Sequence, residues 1–461
     1  MERLPSDFIN NINSIFEQTE AEELLKALDS EPVISIRYNP HKMADEPSGE
    51  RVGWSSEGYY LPQRAVYTLD PLFHGGVYYS QEASSMFLEV VLKKVLSESE
   101  EDITALDMCA APGGKSTLIS SMLKERGVLV ANEAIKSRAK ILKENIIKWG
   151  VGNVIVSNSD SDAFSKSANM FDIVVVDTPC SGEGMFRKDK KSRAQWSKEN
   201  VELCAMRSRR IVANAIESIK DGGVLVYSTC TFNRAENEQL IDWISDNYEI
   251  ENIQLEIVAH WGITLTSASN IDCYRFLPHK TKGEGFFIAA MRIKKDGEVA
   301  SRAKKTQRRK DKASGEGEKL SKEQIATASK WLDNQSLPLE IVTRNGAIFA
   351  ASKEMLQVVT ALDKGLNIIY FGVEMGEFFG NKFKPSHTLA TSILQNRDLC
   401  NSVEVGREDA LEFLRKNSLD AAPFKEGINL VCYKNTPLGY IKRIGARTNN
   451  LYPKEYRIYN L

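Results

Sequence analysis

Two cysteines fall where a chain of alternating strands and helices would place its chemistry. Cys180 lies in "DTPCSGEGMFRKD", directly after the apolar run "FDIVVVD", and Cys230 closes the run "GGVLVYSTC". Both runs read as buried strands, and open α/β sheets bind ligands at the carboxyl ends of their strands. A cysteine in a strand is more often a small apolar filler, but at a strand end filler is least needed. A free thiol, with a pKa of about 8.5, is a few per cent thiolate at neutral pH, and the thiolate is the reactive form. An electropositive neighbour would raise that fraction.

A second motif, "DMCAAPGGKST" (107–117), follows one strand and opens a helix. Pro112, Gly113 and Gly114 predict a tight turn that lets a ligand approach the backbone, with helix N-terminal N–H groups facing it. "GKST" and "VVVD" invite comparison with a phosphate-binding NTPase. Walker A requires a glycine five residues before its last glycine, and Cys109 stands there. The dinucleotide fingerprint is missing as well. Glu133 follows the next strand candidate roughly 20 residues after the glycines, the spacing at which an acid takes ribose hydroxyls. Asp160 and Asp177 close the third and fourth. One acid at a strand end is usually a solvated cap, whereas three in register with a glycine turn favour a ligand. An acidic rim suits a nucleoside that carries a cationic sulfur instead of phosphates, which points to S-adenosyl-L-methionine. A soft nucleophile beside a methyl donor fits one reaction well. Cytosine C5 is too electron-poor to take a methyl group directly, and thiolate addition to C6 makes it nucleophilic.

These residues need a scaffold, and the surrounding pattern predicts one. "ITALDMCA", "GVLVANE", "NVIVSNSD", "FDIVVVDTP" and "GGVLVYSTC" are five strand candidates separated mostly by helical stretches. Ile135, Ala139, Leu142, Ile146 and Trp149 fall at helical spacing, with Lys136, Lys140 and Lys143 outside that stripe. The alternation implies an α/β fold with a doubly wound, mostly parallel, Rossmann-like sheet. Residues 1 to about 100 mix helical and extended pieces. Residues 294–320 are charged and nearly free of large apolar groups, as in a flexible basic linker. Order returns from Ser321.

At 461 residues and 42% apolar content, the chain can build two to four cored domains. Its net charge of −2 means that nucleic-acid affinity must come from local patches. Seven cysteines without a C-x-x-C pair argue against a disulfide framework and against a zinc site. The N-terminus lacks a signal-peptide core, and no run is long enough to span a bilayer. A cytoplasmic chain with free thiols, no membrane and no metal is expected.

The three motifs "DMCAAPGGKST", "VVVDTPCSGEGMFRK" and "YSTCTFNRAENE" together resemble the Sun/Nop-type family of RNA cytosine-5 methyltransferases. The likeness extends through "RYNPHK", "YSQEASSM" and "GEGFFIAAMRIK". The C-terminal pieces "LNIIYFGVEMGEFFGNKFKPSHTLA" and "KNTPLGYIKRIGARTNNLYPKEYRI" look like the PUA-like extension of bacterial ribosomal RNA members of that family. The resemblance implies Cys230 as the nucleophile on C6 and Cys180 as the cysteine that assists product release. It places the cofactor against Cys109, Ala110, Ala111, Pro112, Gly113, Gly114 and Lys115, with Glu133, Asp160 and Asp177. Asp177 is also assigned to the cytosine edge as a catalytic group. Thr178 stands where the family commonly has alanine. The implied organisation is an N-terminal α+β RNA-binding region (1–100), a methyltransferase domain (101–293), the linker (294–320), a first C-terminal domain (321–390) and a PUA-like RNA-binding domain (391–461), in a monomer.

A cytosine inside a duplex cannot present C6, so the target must be unpaired or flipped out. Candidate RNA contacts are Arg37 and Lys42, then Arg187, Lys188, Lys190, Lys191 and Arg193. In the tail they are Lys442, Arg443, Arg447, Lys454 and Arg457, interleaved with Tyr440, Tyr452 and Tyr456. A charge run is usually only a solvated face, and the tail reads equally as a protein-interaction module. The substrate implied is small-subunit (16S) ribosomal RNA, naked or in the assembled subunit, with transfer RNA as an alternative. A P-loop-like NTPase and a non-catalytic ribosome-assembly protein are the competing classes. The first lacks its glycine and the second leaves both thiols unexplained.

Overall fold

The structure, a computed structural model, describes residues 3–42, 49–295, 320–333 and 338–459. The basic linker expected at 294–320 lies almost wholly outside the described residues. Near the N-terminus, α1 (Ser6–Ile15) and α2 (Gln18–Ala27) bury Phe8, Ile12, Ala21 and Leu24. These side chains form one cluster with Phe186, Trp196 and Phe232. Phe186 follows Cys180 and Phe232 follows Cys230, so the two helices form a floor beneath both cysteine loops. A small antiparallel sheet around Ser35–Tyr38 completes this region.

The central sheet carries the site. Its strands are β1 (Ile103–Asp107), β2 (Gly127–Asn132), β3 (Val154–Ser157), β4 (Phe171–Asp177) and β5 (Ile219–Thr229). They are followed by β6 (Glu249–Asn252), β7 (Thr264–Ala268), β8 (Ile271–Phe276), β9 (Phe286–Lys294) and β10 (Ile368–Phe371). In space the order is β7-β8-β9-β5-β4-β1-β2-β3-β10, with β6 also paired to β9. The five strands expected from the sequence form the parallel heart, β5-β4-β1-β2-β3. The rest add antiparallel, so the complete sheet is mixed. The parallel strands read as unbroken apolar runs because both faces are covered: Val174, Val175, Val176, Leu225 and Val226 are wholly buried.

The helices between parallel strands are α3 (Gly114–Leu123), α4 (Lys136–Trp149) and α5 (Lys198–Ser218), with α6 (Glu238–Asn247) following β5. Strand order reverses between β1 and β4. Right-handed crossovers therefore send α3 and α4 to one face and α5 to the other, and the crevice opens where the connections part.

β10 comes from far along the chain, yet it pairs with β3 (Ile368 opposite Ser157, Phe371 opposite Ile155). Met355, Leu362, Tyr370 and Phe371 join the same core as the parallel strands. Two further four-stranded sheets follow, one built on Ala347–Ser352 and Val373–Phe379, the other on Gly427–Tyr433 and Thr436–Ile444.

Candidate active site

β1 delivers Asp107 to the switch point, and the chain then weaves between neighbouring strands. Met108 N–H donates to the Val175 carbonyl at 2.9 Å and Ala110 N–H to that of Asn132 at 2.8 Å. Gly113, at φ +118°, precedes α3 in a conformation that a side chain would strain. This turn is the one that Pro112-Gly113-Gly114 predicted. Ala110 and Ala111 are buried, Cys109 partly so.

The acids converge on this turn. Burial pushes the Cys109 thiol up, and the negative charges of Asp107, Asp177 and Glu133 push it further. Asp107 is fully buried; its Oδ2 accepts from Ser116 Oγ at 2.7 Å, while Oδ1 has no partner among the described residues. Burial raises its carboxyl to about 7 against the pull of Ser116 and Lys115. Glu133, next after β2, accepts the Ile135 N–H on Oε1 at 2.9 Å. Its Oε2 lies 3.2 Å from Arg138 Nη1 but out of hydrogen-bond alignment. That buried oxygen is an open acceptor at the strand end, as ribose hydroxyls require. The glycine turn and this acceptor fit S-adenosylmethionine, with Cys109–Gly114 and Glu133 as the residues that would hold it.

Asp160 stands apart from that group. It is exposed, caps the turn Ser161–Lys166, and pairs with Arg210 of α5 at 3.0 Å. Slight burial would raise its carboxyl, but the Asp162 N–H and Arg210 hold it below the usual range. Lys115, expected at the cofactor, has its Nζ 2.8 Å from Asp177 Oδ2 and 5.1 Å from the Phe286 ring centroid. Burial opposes its charge, yet Asp177, Asp107 and Cys230 together raise its pKa, so it remains an ammonium. Asp177 Oδ1 accepts from Ser228 Oγ at 2.7 Å.

The two cysteines meet at the lips of β4 and β5. Their sulfurs are 3.1 Å apart, and the Cys230 N–H donates to Cys180 Sγ at 3.3 Å. Cys180 is held well above the ordinary thiol range by its hydrogen bond with Cys230, then by burial, by the charge of Cys230 and, after these, by the negative Glu236.

Sequence reasoning missed what holds these loops. Glu183, fully buried, accepts the backbone N–H groups of Phe232 (2.7 Å) and Asn233 (3.0 Å) and the Trp196 indole N–H (2.9 Å). Glu236, also fully buried, accepts the Ser181 N–H (3.0 Å) and the Asn233 amide (2.7 Å). Gly184 N–H donates to the Cys230 carbonyl at 2.9 Å. The available signal was the acid-and-amide density of "CSGEG" and "NRAENE" beside the thiols.

Several expected RNA contacts are structural instead. Arg37 is buried, stacks on Trp149 and donates to Gln81, Gly114 and Thr117. Lys42 spends all three ammonium hydrogens on the carbonyls of Gly75, Lys148 and Thr391. Arg187 pairs with Glu284 at 2.8 Å, and Arg193 with Asp29 at 2.8 Å, both guanidinium groups being buried. Tyr440 and Tyr452 belong to the core. Lys188, Lys191, Lys442, Arg447 and Lys454 remain exposed. No helix among the described residues is long and apolar enough to cross a membrane, and none of their side chains cluster as metal ligands.

An open parallel crevice with a glycine turn and an acid after the next strand defines a Rossmann-like methyltransferase. The family model described as 16S rRNA methyltransferase RsmB/F matches residues 93–292. The models for the N-terminal domain of 16S rRNA methyltransferase RsmF and for the RsmF PUA domain match residues 4–83 and 400–458. Ribosomal RNA small subunit methyltransferase F of Vibrio parahaemolyticus is 30% identical over 98% of this chain and 97% of that protein. The protein of the same name from Pectobacterium atrosepticum is 29% identical over 98% and 95%. Among solved structures, a methyltransferase homolog from Pyrococcus horikoshii is 27% identical and superposes with a TM-score of 0.52, covering 62% of this chain and 95% of that one. The NSun6 of the same organism, solved with SFG, shares the fold at 23% identity and a TM-score of 0.51, over 64% and 100%. The chain therefore belongs to the 16S rRNA methyltransferase RsmB/F family, whose cofactor is S-adenosyl-L-methionine. The PUA match fits an RNA partner.

Proposed function

We propose that this protein methylates C5 of a cytosine in small-subunit ribosomal RNA through a covalent adduct on Cys230. The observation that carries the reading is the pair of sulfurs 3.1 Å apart on adjacent strand ends, beside the Lys115–Asp177 ion pair. Cys230 Sγ adds to C6, and the electron pair displaced toward C5 makes that carbon nucleophilic. Asp177, anchored by Ser228 and Lys115, holds the cytosine's N3/N4 edge. The bound cofactor supplies an electrophilic methyl group. In release a base takes the C5 proton, the C5–H electron pair re-forms the C5–C6 double bond, and the C6–S bond breaks with its pair on sulfur. Cys230 departs as thiolate, with the Cys180 thiol the proton donor beside it. Glu133 and the 109–114 turn orient the cofactor. The small-subunit substrate is supported by the names of the relatives and by the full-length match.

Replacing Cys230 by Ser should abolish methylation while cofactor affinity is unchanged, since a hydroxyl is far less ionised than a thiol. Cys180→Ser should accumulate a denaturant-stable protein–RNA complex on a gel, which vanishes in the double variant. Accumulation in Cys230→Ser instead would exchange the two roles, and full activity in both would end the proposal. Bisulfite sequencing of ribosomal RNA from cells lacking the gene would locate the target cytosine.

A further inference from the structure

Glu183 reaches across from one thiol loop to the other. It belongs to the loop that carries Cys180, and it is fully buried. Its Oε2 accepts the N–H groups of Phe232 at 2.7 Å and Asn233 at 3.0 Å, both just past Cys230. Its Oε1 accepts the Trp196 indole N–H at 2.9 Å and shares the Asn233 side-chain amide at 3.1 Å. Further contacts lay the same turn on the same loop. The Cys230 carbonyl accepts from the Gly184 N–H at 2.9 Å, and the Ser181 and Thr231 hydroxyls are 2.9 Å apart. The turn also has a tie of its own, from Asn237 Nδ2 to the Thr231 carbonyl at 3.0 Å. The backbone donors of Phe232 and Asn233, by contrast, end on a carboxylate 49 and 50 residues earlier in the chain.

We propose that Glu183 is the positioning residue of the nucleophile: its carboxylate holds the 230–233 turn against the Cys180 loop and thereby aims the Cys230 sulfur at C6. The inference rests on the role proposed for Cys230. Glu183 acts on that sulfur only through the backbone. Phe232 and Asn233 are buried, and a buried N–H left without an acceptor carries its full desolvation penalty. The turn therefore stays where the carboxylate is. The donor set also explains why the residue is an acid. Every partner of the side chain is an N–H group, and the donors fall on both oxygens. A glutamine has one oxygen to offer. With that oxygen on Phe232 and Asn233, its amide hydrogens would face the indole N–H of Trp196. Trp196 in turn stands on the helical floor, its ring centroid 5.6 Å from that of Phe8 in α1. Glu183 thus ties the aim of Cys230 to the N-terminal helices.

Two double variants, both freed of the indole donor, isolate the acceptor. Glu183→Gln with Trp196→Phe can turn its one oxygen to Phe232 and Asn233, whereas Glu183→Met with Trp196→Phe offers them none. For each, single-turnover methyl transfer at saturating RNA and cofactor is measured, together with the KM for RNA and the calorimetric affinity for S-adenosylmethionine. The methionine pair should transfer methyl about tenfold more slowly than the glutamine pair, since a displacement of about 1 Å can cost on the order of 100-fold in rate. KM and cofactor affinity should be the same in both. A merely structural role would lower the unfolding midpoint of the methionine pair and leave its rate at the glutamine level, and that result would overturn the inference. Should the methionine pair not fold, Glu183→Gln alone decides. Donor faces donor in that protein, so its methyl transfer should fall by about tenfold and recover when Trp196→Phe is added. No fall, or no recovery, would overturn the inference. Methylation that survives Cys230→Ser would instead overturn the role of Cys230 on which it rests.

Discussion

Asp107 shows how one buried carboxyl shapes both site and stability. It is wholly inaccessible, has a single hydroxyl donor, and sits near Lys115. Burial raises its folded pKa from 3.8 to about 7. A raised acid contributes stability that is fully present below its unfolded pKa and is lost as pH rises through the folded value. Relative to Asp107→Asn, the native protein should therefore lose on the order of 3 kcal/mol between about pH 4 and pH 8. Denaturant unfolding of both proteins at the two pH values checks this. A constant difference would show that Asp107 titrates normally.

The elements act mainly as clamps on the two thiol loops. β4 and β5 run parallel, with Val175 opposite Val226, so their carboxyl ends emerge side by side. β9 then runs antiparallel to β5 and brings Gly285 against the loop after Cys180. A Cβ on Gly184 would lie 2.5 Å from the Gly285 carbonyl oxygen and 2.9 Å from that of Cys230. Both neighbours are backbone and cannot swing away, so Gly184→Ala should shift Cys230 out of line. Since a displacement of about 1 Å can cost on the order of 100-fold in rate, methylation should fall by roughly that factor while calorimetric cofactor affinity stays constant. Unchanged turnover would mean that the loop has slack.

At the scale of the whole molecule, the regions are bound together more tightly than a linker suggests. β10 forms the edge of the central sheet beyond β3, Thr391 accepts from Lys42, and the Ile393 N–H donates to the Gly150 carbonyl at 2.9 Å. A chain ending at residue 295 would strip off β10 and expose its side of the core. Buried side chains of this size each contribute about 1.5–3 kcal/mol. Its thermal unfolding midpoint should drop sharply, whereas a chain ending at residue 396 keeps β10 and the contacts of Thr391 and Ile393. The longer form should still bind cofactor but hold RNA more weakly and with a shallower salt dependence, because exposed Lys442, Arg447 and Lys454 are gone. Equal midpoints for the two truncations would show that β10 adds little.

The sequence by itself determined the parallel strands, the glycine turn and the strand-end placement of Cys180, Cys230, Glu133 and Asp177. Each follows from local patterning: apolar runs, a Pro-Gly-Gly break, and residues just past a strand. Sequence alone could not tell which basic residues face solvent. Arg37, Lys42, Arg187 and Arg193 look like RNA contacts in one dimension, but their partners lie up to 349 residues away. The same holds for Glu183 and Glu236, whose value lies in donors from another loop, and for β10, whose partner strand precedes it by some 200 residues. Periodicity reports which face of an element is buried, not against what. Only the tertiary structure decided that the two sulfurs stand 3.1 Å apart, because that distance depends on the parallel register of β4 and β5 and on the buried carboxylates that tie their loops together.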